Sequence, residues 1–236
     1  MHRTRHLIPL ALYVSYGCAF QFTQVDRRWH VWERRATSDW IDITEDGGVL
    51  LKEKSHLADA SLFRDEDEFL SLQYTGTIAP STWTVDETIH CWLNEQQGLS
   101  DLADAFREHQ IDEEKLLSEN VFNEAFVTNE LGVSAKIKAK KLVMAAKRLS
   151  TVRQEFAPGL EFDSKHSFEV PIRGAKLIQG MTRGLTYMVQ AKVAHAEILC
   201  RSDYAYGAEG YRKASGDVLV PPFASLCFDV KIVSSH

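Results

Sequence analysis

The C-terminal end of the chain most narrows what it can fold into. Leu226, Phe228, Val230 and Ile232 alternate with Cys227, Asp229 and Lys231, the period-two pattern of a strand with one buried face. Just before it, Pro221 and Pro222 cannot donate ladder hydrogen bonds, so they belong to an entry loop and fix the angle at which the strand arrives. Upstream of that loop stands Asp203-Tyr204-Ala205-Tyr206-Gly207. A rigid loop beside a sheet can hold aromatic side chains over a pocket.

Other segments share the period of two. Asp39 to Leu51 reads as a strand, an Asp46-Gly47-Gly48 turn and a second strand. After a charged stretch from Arg64 to Glu68, Leu70, Leu72, Tyr74 and Ile78 occupy one face of a further strand. Phe168 and Val170 continue another, a helix runs through Leu185 and Met188, and Val193 to Cys200 alternates again. Between Pro80 and Pro158 the spacing becomes helical. Thr84 caps a first turn bearing Asp86 and Glu87, and Ile89, Trp92 and Leu93 follow at i, i+3 and i+4. Leu99, Leu102 and Phe106, then Leu116, Phe122 and Phe126, then Ile137, Leu142, Ala146 and Leu149, complete five short helices with tight turns.

Composition excludes several classes. With 44% hydrophobic and 25% charged residues over 236 positions, a core of one large or two small domains is available. A formal charge of −6 argues against a general nucleic-acid binder. Four cysteines without C-x-x-C spacing and nine histidines without H-E-x-x-H or finger-like spacing predict no metal site, and nothing calls for a cofactor. Cys91 and Cys200 fall on apolar positions and read as buried thiols. No P-loop or nucleophile elbow is present. At the N-terminus, two arginines precede an apolar run from Leu7 to Phe20 with Gly17 and Ala19 near its end. Met1 to Ala19 is either a cleavable secretory signal, which would send the protein to the secretory pathway or an organelle, or a plain extension of a cytoplasmic protein. The run is too short for a firm membrane span. Residues 20–38 read as a linker mixing Arg27, Arg28, Trp29, Trp32, Arg34 and Arg35.

Several of these segments carry family resemblances. The Ala205-Tyr206-Gly207 loop followed by Val220-Pro221-Pro222-Phe223-Ala224-Ser225-Leu226-Cys227-Phe228-Asp229-Val230 resembles the C-terminal part of an FKBP-type peptidyl-prolyl isomerase. Leu72-Gln73-Tyr74-Thr75-Gly76-Thr77 resembles that family's strand with a pocket tyrosine, and Leu177-Ile178-Gln179-Gly180-Met181 its segment opening the single helix. The expected return strand is displaced to Leu160-Glu161-Phe162-Asp163-Ser164. The intervening order of Trp83, Val85, Trp92-Leu93, Phe106, Ile111-Asp112, Leu116-Leu117 and Leu131-Gly132-Val133 resembles a sterile alpha motif. The resemblances imply an α+β fold, an FKBP-like twisted antiparallel sheet wrapped around a short helix and formed by residues 39–79 and 159–236, with an all-α five-helix bundle inserted at 80–158.

The functional roles are implied by the same resemblances. Tyr74, Phe162, Phe168, Leu177, Val220 and Phe228 would wall a pocket for proline-containing clients. Tyr206 would offer its hydroxyl to the substrate carbonyl, the Ile178 N–H would hold the peptide, and Asp163 would orient the polar edge. Met181 stands where the family has a pocket-floor Trp, and Tyr211 sits in a loop longer than usual. A catalytically weak binding or scaffold module is the alternative to an active isomerase. In the bundle, Glu108, Asp112, Glu113, Glu114, Glu119 and Glu124 give an acidic middle, and Lys136, Lys138, Lys140, Lys141, Lys147 and Arg148 a basic last helix. These poles suit head-to-tail self-association or a related partner; otherwise both are solvated helix faces. The lysines lack the interleaved aromatics that RNA binding needs.

Overall fold

The computed structural model describes residues 39–56, 68–171 and 176–236. The expected signal or extension, the 20–38 linker, most of the Arg64 to Glu68 stretch and the Ile172 to Ala175 approach to the helix lie outside these residues.

A six-stranded sheet is the base of the fold. Its strands are β1 (Trp40–Asp42), β2 (Val49–His56), β3 (Phe69–Ile78), β4 (Glu161–Pro171), β5 (Val193–Cys200) and, after a separate hairpin of β6 (Tyr211–Arg212) and β7 (Val218–Val220), β8 (Leu226–Ser235). The order across the sheet is β1-β2-β5-β8-β3-β4, with every neighbouring pair antiparallel. β8 pairs on both sides, and its alternation is realised in burial: Leu226, Phe228, Val230 and Ile232 are buried, and Lys231 is exposed. Each such side chain withdrawn from water contributes roughly 1.5–3 kcal/mol. On the outer face Asp229 stands directly opposite Glu197, a repulsive pairing by itself. Lys54 offsets it by bridging Asp229 and Glu197, the latter at 2.9 Å, and His195 Nε2 lies 2.6 Å from Asp229 Oδ1.

On the inner face lies a helix at Gln179–Gln190. Glycines let it approach β5 closely. A Cβ at Gly180 would sit 2.3 Å from Cys200 Sγ, and one at Gly184 would sit 2.5 Å from Ile198 Cδ1. Cys200 is fully buried against it, as its apolar position predicts.

Residues 79–160 leave the sheet at the end of β3 and return at β4. Helices α1 (Val85–Thr88), running on as a π turn over Ile89–Leu93, α2 (Ala103–Glu108), α3 (Glu113–Leu117), α4 (Glu124–Asn129) and α5 (Lys136–Glu155) lie in this stretch. The helix at Gln179–Gln190 is then α6. Trp92, Phe106, Ile111, Val127 and Leu142 form a second core, distinct from that of the sheet. Local chemistry starts the helices. Thr84 Oγ1 accepts from Glu87 N while the Glu87 carboxylate accepts from Thr84 N, a reciprocal capping box. Asp112 and Asn123 cap α3 and α4 through Lys115 N and Phe126 N, each cap being worth about 1 kcal/mol. The last helix is not short: α5 has 20 residues.

Two features of the helical part depart from the sequence reading. Glu113 belongs to no solvated acidic face. It is 3% exposed, and its carboxylate accepts from Arg153 Nε at 3.0 Å and from Trp83 N at 3.0 Å. Arg153 also donates to the Phe223 carbonyl at 3.0 Å and lies over the Trp83 ring. Phe223, from the loop before β8, meets Trp83 edge-on and packs on the helical core. The basic pole is also partly spent internally, since Lys138 pairs with Asp101, Lys147 with Glu119, and Lys141 donates to the Gln97 carbonyl. Among the described residues, no helix is long and apolar enough to cross a membrane.

Candidate functional site

The inner face of β3, β4 and β8 carries a run of aromatic side chains, gathered by an irregularity that the sequence does not announce. Thr77 faces Glu161 while Gly76 faces Asp163, so Phe162 is an extra residue on β4. A bulge of this kind turns two successive side chains toward one side. The Phe162 ring accordingly meets Phe228 edge-on at 5.7 Å, and the neighbouring Asp163 accepts a 2.6 Å hydrogen bond from the Tyr74 hydroxyl. A second shift, between Leu72 and Tyr74, sets Phe168 opposite Leu72. Its ring packs edge-on to Tyr74 at 5.7 Å.

Gly76 is the hinge of this arrangement. A Cβ there would lie 2.7 Å from Phe162 Cζ and 3.0 Å from Phe228 Cε1, so the missing side chain is what lets both rings close over the strand. Burial, then the hydrogen bond to Asp163, raises the Tyr74 pKa well above the ordinary phenol value. Tyr74 therefore stays a neutral donor, anchoring Asp163 beside the rings.

The Tyr206 loop and the hairpin after it adjoin these rings. Tyr206 sits half-buried in a tight turn, where Gly207 N donates to Ser202 O at 2.8 Å, Gly210 N donates to Tyr206 O at 3.2 Å, and Gly207 has φ of +57°. Burial, followed by the proximity of Tyr211 and of the Asp163 charge, raises the Tyr206 pKa. Among the described residues the Tyr206 hydroxyl has no hydrogen-bond partner, so a neutral donor stands available. Tyr211 stacks on Tyr206 with centroids 5.2 Å apart and planes at 26°. The longer loop that carries Tyr211 forms the β6–β7 hairpin, with Tyr211 opposite the buried Val220.

The start of α6 packs on the same sheet core. Ile178 is the residue before the helix, its carbonyl accepting from Thr182 N and Oγ1 at 3.1 and 3.2 Å. Met181 is 5% exposed in the first turn, and Leu177 and Ile178 pack half-buried on the sheet core.

Tyr74, Phe162, Asp163, Phe168 and Phe228 thus form one contact network. Leu177, Ile178, Met181, Tyr206 and Val220 join the same apolar cluster. Tyr211 does not; it is 46% exposed and reaches the others through Tyr206. Gly76 was not singled out from the sequence, although a glycine amid a strand pattern is a signal of close approach. Chemically, the described residues gather aromatic rings, one anchored carboxylate and one phenol donor.

Comparison with protein families gives two matches. Residues 135–233 match the model of the FKBP-type peptidyl-prolyl cis-trans isomerase family, and residues 80–150 match that of the SAM domain, the sterile alpha motif. The first match contains β4, α6, β5 and β8 as far as Val233 but neither β3 nor Tyr74, and it overlaps the second along α5. Among solved structures, the crystal structure of the three FKBP domains of wheat FKBP73 is similar at 13% identity and a TM-score of 0.39, over 84% of this chain and 48% of that one. The chain spans about half the length of the wheat structure. A peptidyl-prolyl cis-trans isomerase from Pseudomonas syringae pv. tomato is similar at 14% identity and a TM-score of 0.38, over 90% of this chain and 92% of that one. Among curated proteins no match is found.

Proposed function

We propose that the protein is a peptidyl-prolyl cis-trans isomerase of the FKBP type, with an isomerase domain formed by residues 39–79 and 159–236 and a sterile alpha motif inserted at 80–158. The observation that carries this reading is the contact network of Phe162, Asp163, Tyr74, Phe168 and Phe228, in which Phe162 and Phe228 close over Gly76, with Tyr206 near Asp163 and all but Tyr74 and Gly76 inside the family match.

The reaction breaks no covalent bond. Amide resonance opposes rotation about an X-Pro bond by roughly 18–20 kcal/mol. Lowering this by about 4–5.5 kcal/mol accelerates exchange roughly 10³–10⁴-fold. Removing water from the client carbonyl weakens its charge-separated resonance, and a shaped cleft binds the twisted form better than either planar one. In this reading the proline ring lies against Phe162, Phe168, Phe228, Leu177, Val220 and Met181. Tyr206 donates to the carbonyl, the Ile178 N–H holds the peptide, Asp163 orients the polar edge and Tyr211 borders the mouth. Clients are proline-containing peptides or proteins.

A second reading is favoured by one residue. Met181 is flexible where the family has a rigid indole, which gives a floor with less shape and favours a binding or scaffold module with little turnover. The inserted motif would serve association, head-to-tail between its acidic and basic poles, although Glu113, Lys138 and Lys147 are engaged internally. Nucleic acid is not the expected partner.

The test is the rate of cis-trans exchange of a short X-Pro peptide, with and without the protein. Acceleration that is lost in Tyr206→Phe/Asp163→Ala supports the isomerase. No acceleration by a folded protein favours the binding module, in which case Met181→Trp is the variant to restore turnover.

A further inference from the structure

The loop that carries Tyr206 is tied to the helical bundle by a buried cation. Arg201, at the end of β5, is 9% exposed, and it makes contacts in three directions. Its Nη2 donates to Asp46 Oδ2 at 2.8 Å in the β1–β2 turn. Its Nε and Nη2 fork onto Asp203 at 2.7 and 2.9 Å. Its Nη1 donates to Glu87 Oε1 at 3.2 Å and to the Asp46 carbonyl at 2.9 Å. Glu87 belongs to α1, and its side chain is only 12% exposed. Cys91 and His90, from the π turn after α1, also face Asp203, with Cys91 Sγ donating at 3.7 Å and His90 Nε2 lying at 3.3 Å.

Asp203 and Arg201 open the turn that positions Tyr206. Tyr204 N donates to Arg201 O at 3.0 Å, and Gly207 N donates to Ser202 O at 2.8 Å. At its other end, Gly207 O accepts from Phe223 N at 2.7 Å, the residue that packs on the helical core. The turn is therefore held from the bundle at both ends. Burial works to raise the Asp203 pKa, but the Arg201 hydrogen bonds and charge outweigh it and keep the carboxylate ionised.

We propose that Glu87 is a positioning residue for the site: it fixes the buried Arg201 fork, which fixes the Asp203–Gly207 turn and hence the Tyr206 hydroxyl, so the helical insertion is a working part of the cleft. The catalytic half of this statement rests on the isomerase reading above; the structural half does not. A guanidinium forked onto a carboxylate is geometrically specific, and removing a partner from a buried ion pair is costly. Removing the α1 charge lets the fork reorient and the turn open locally. A displacement of about 1 Å at a donor can cost up to roughly 100-fold in rate.

The test compares Glu87→Gln with Thr84→Ala in the full chain. Gln keeps a capping acceptor at the third helical position and removes the charge that faces Arg201. Thr84→Ala breaks the cap and leaves the ion pair. Hydrogen exchange of the Gly207 and Tyr204 amides is read together with the global melting transition and with kcat and KM on an X-Pro peptide. We expect Glu87→Gln to speed exchange at these two amides about tenfold or more through local opening, without lowering the melting temperature more than Thr84→Ala does. We also expect it to lower kcat by about three- to tenfold with KM nearly unchanged, and Thr84→Ala to do neither. Unchanged exchange at Gly207 in Glu87→Gln overturns the proposal whatever the activity. An equal effect of Thr84→Ala also overturns it, because the helix cap would then be the cause. If the wild type has no isomerase activity while Glu87→Gln still opens the turn, the isomerase reading fails and the positioning stands.

Discussion

Replacing Glu113 by alanine removes a side chain that accepts from Arg153 Nε at 3.0 Å and from Trp83 N at 3.0 Å, and that lies 2.9 Å from Arg153 Nη2 in the same ion pair. An exposed pair such as Arg107–Asp104 contributes only about 0–1 kcal/mol. Glu113 differs because its side chain is 4% exposed and that of Arg153 17%. Stranding one member of a buried pair costs about 3–5 kcal/mol. Arg153 would keep the Phe223 carbonyl, a weak contact to Ser81 Oγ and the Trp83 face, which places the loss near the lower end, about 3 kcal/mol. With a urea slope of about 1–3 kcal/mol per molar, the midpoint falls by roughly 1–3 M. The assay is urea unfolding, by circular dichroism, of Glu113→Ala, Arg153→Ala and the double variant. The double variant should cost clearly less than the sum of the singles, by about 1.5 kcal/mol or more. Additive singles, or a Glu113→Ala loss no larger than that of Asp104→Ala, would refute the claim that this pair clamps the bundle to the loop before β8.

The geometry sets two further outcomes. Gly76→Ala must push Phe162 off Phe228; overpacking costs about 1–3 kcal/mol, offset by about 0.4–1 kcal/mol from a stiffer unfolded chain, and because Phe162 is half-buried its ring can swing away. The melting temperature should fall only slightly while affinity for a proline peptide drops severalfold, and unchanged binding by titration calorimetry would remove Phe162 from the wall. Asp46 has its pKa lowered from 3.8 to about 2, since burial is outweighed by hydrogen bonds from Thr44 and Gly48 and by Arg201. A depressed folded-state value means that its contribution is complete above the unfolded value and is lost as pH falls from about 4 to about 2. In acid unfolding curves Asp46→Asn should flatten the slope in that window, and an unchanged slope would contradict the assigned contacts.

Much of the sheet was written in local pattern. The alternation of β8, the Asp46-Gly47-Gly48 turn and the Thr84–Glu87 box depend on residues within a few positions of one another, where spacing carries the signal. Tyr74, Phe168 and Phe228 were legible as aromatics on alternating strands, and Phe162 only through a family resemblance. The bulge that brings Phe162 and Asp163 to one face was not, because it depends on how β4 meets β3 and leaves no composition mark. Glu113 was misread for a related reason: within a run of acids it looks solvated, and the partner that buries it, Arg153, lies forty positions further along. Phe223 carries φ of +63°, an uncommon value for a bulky residue, and only its contact with Trp83 shows what that conformation serves.

The exit and return of the chain at Ile78 and Leu160 bear on the order in which the molecule assembles. Ile78 N donates to Leu160 O at 2.9 Å, and Gly159 N donates to Ile78 O at 2.8 Å. Pairing β3 with β4 across an unfolded stretch of about eighty residues would cost about 2–3 kcal/mol more in closure entropy than a tight hairpin, at about 0.6 kcal/mol per doubling of length. Helical contacts are short in sequence and form quickly. A bundle that folds first brings these ends together and acts as a prefabricated turn, so variants that slow it, such as those at Phe106 or Leu142, should delay the pairing of β3 with β4 in refolding experiments.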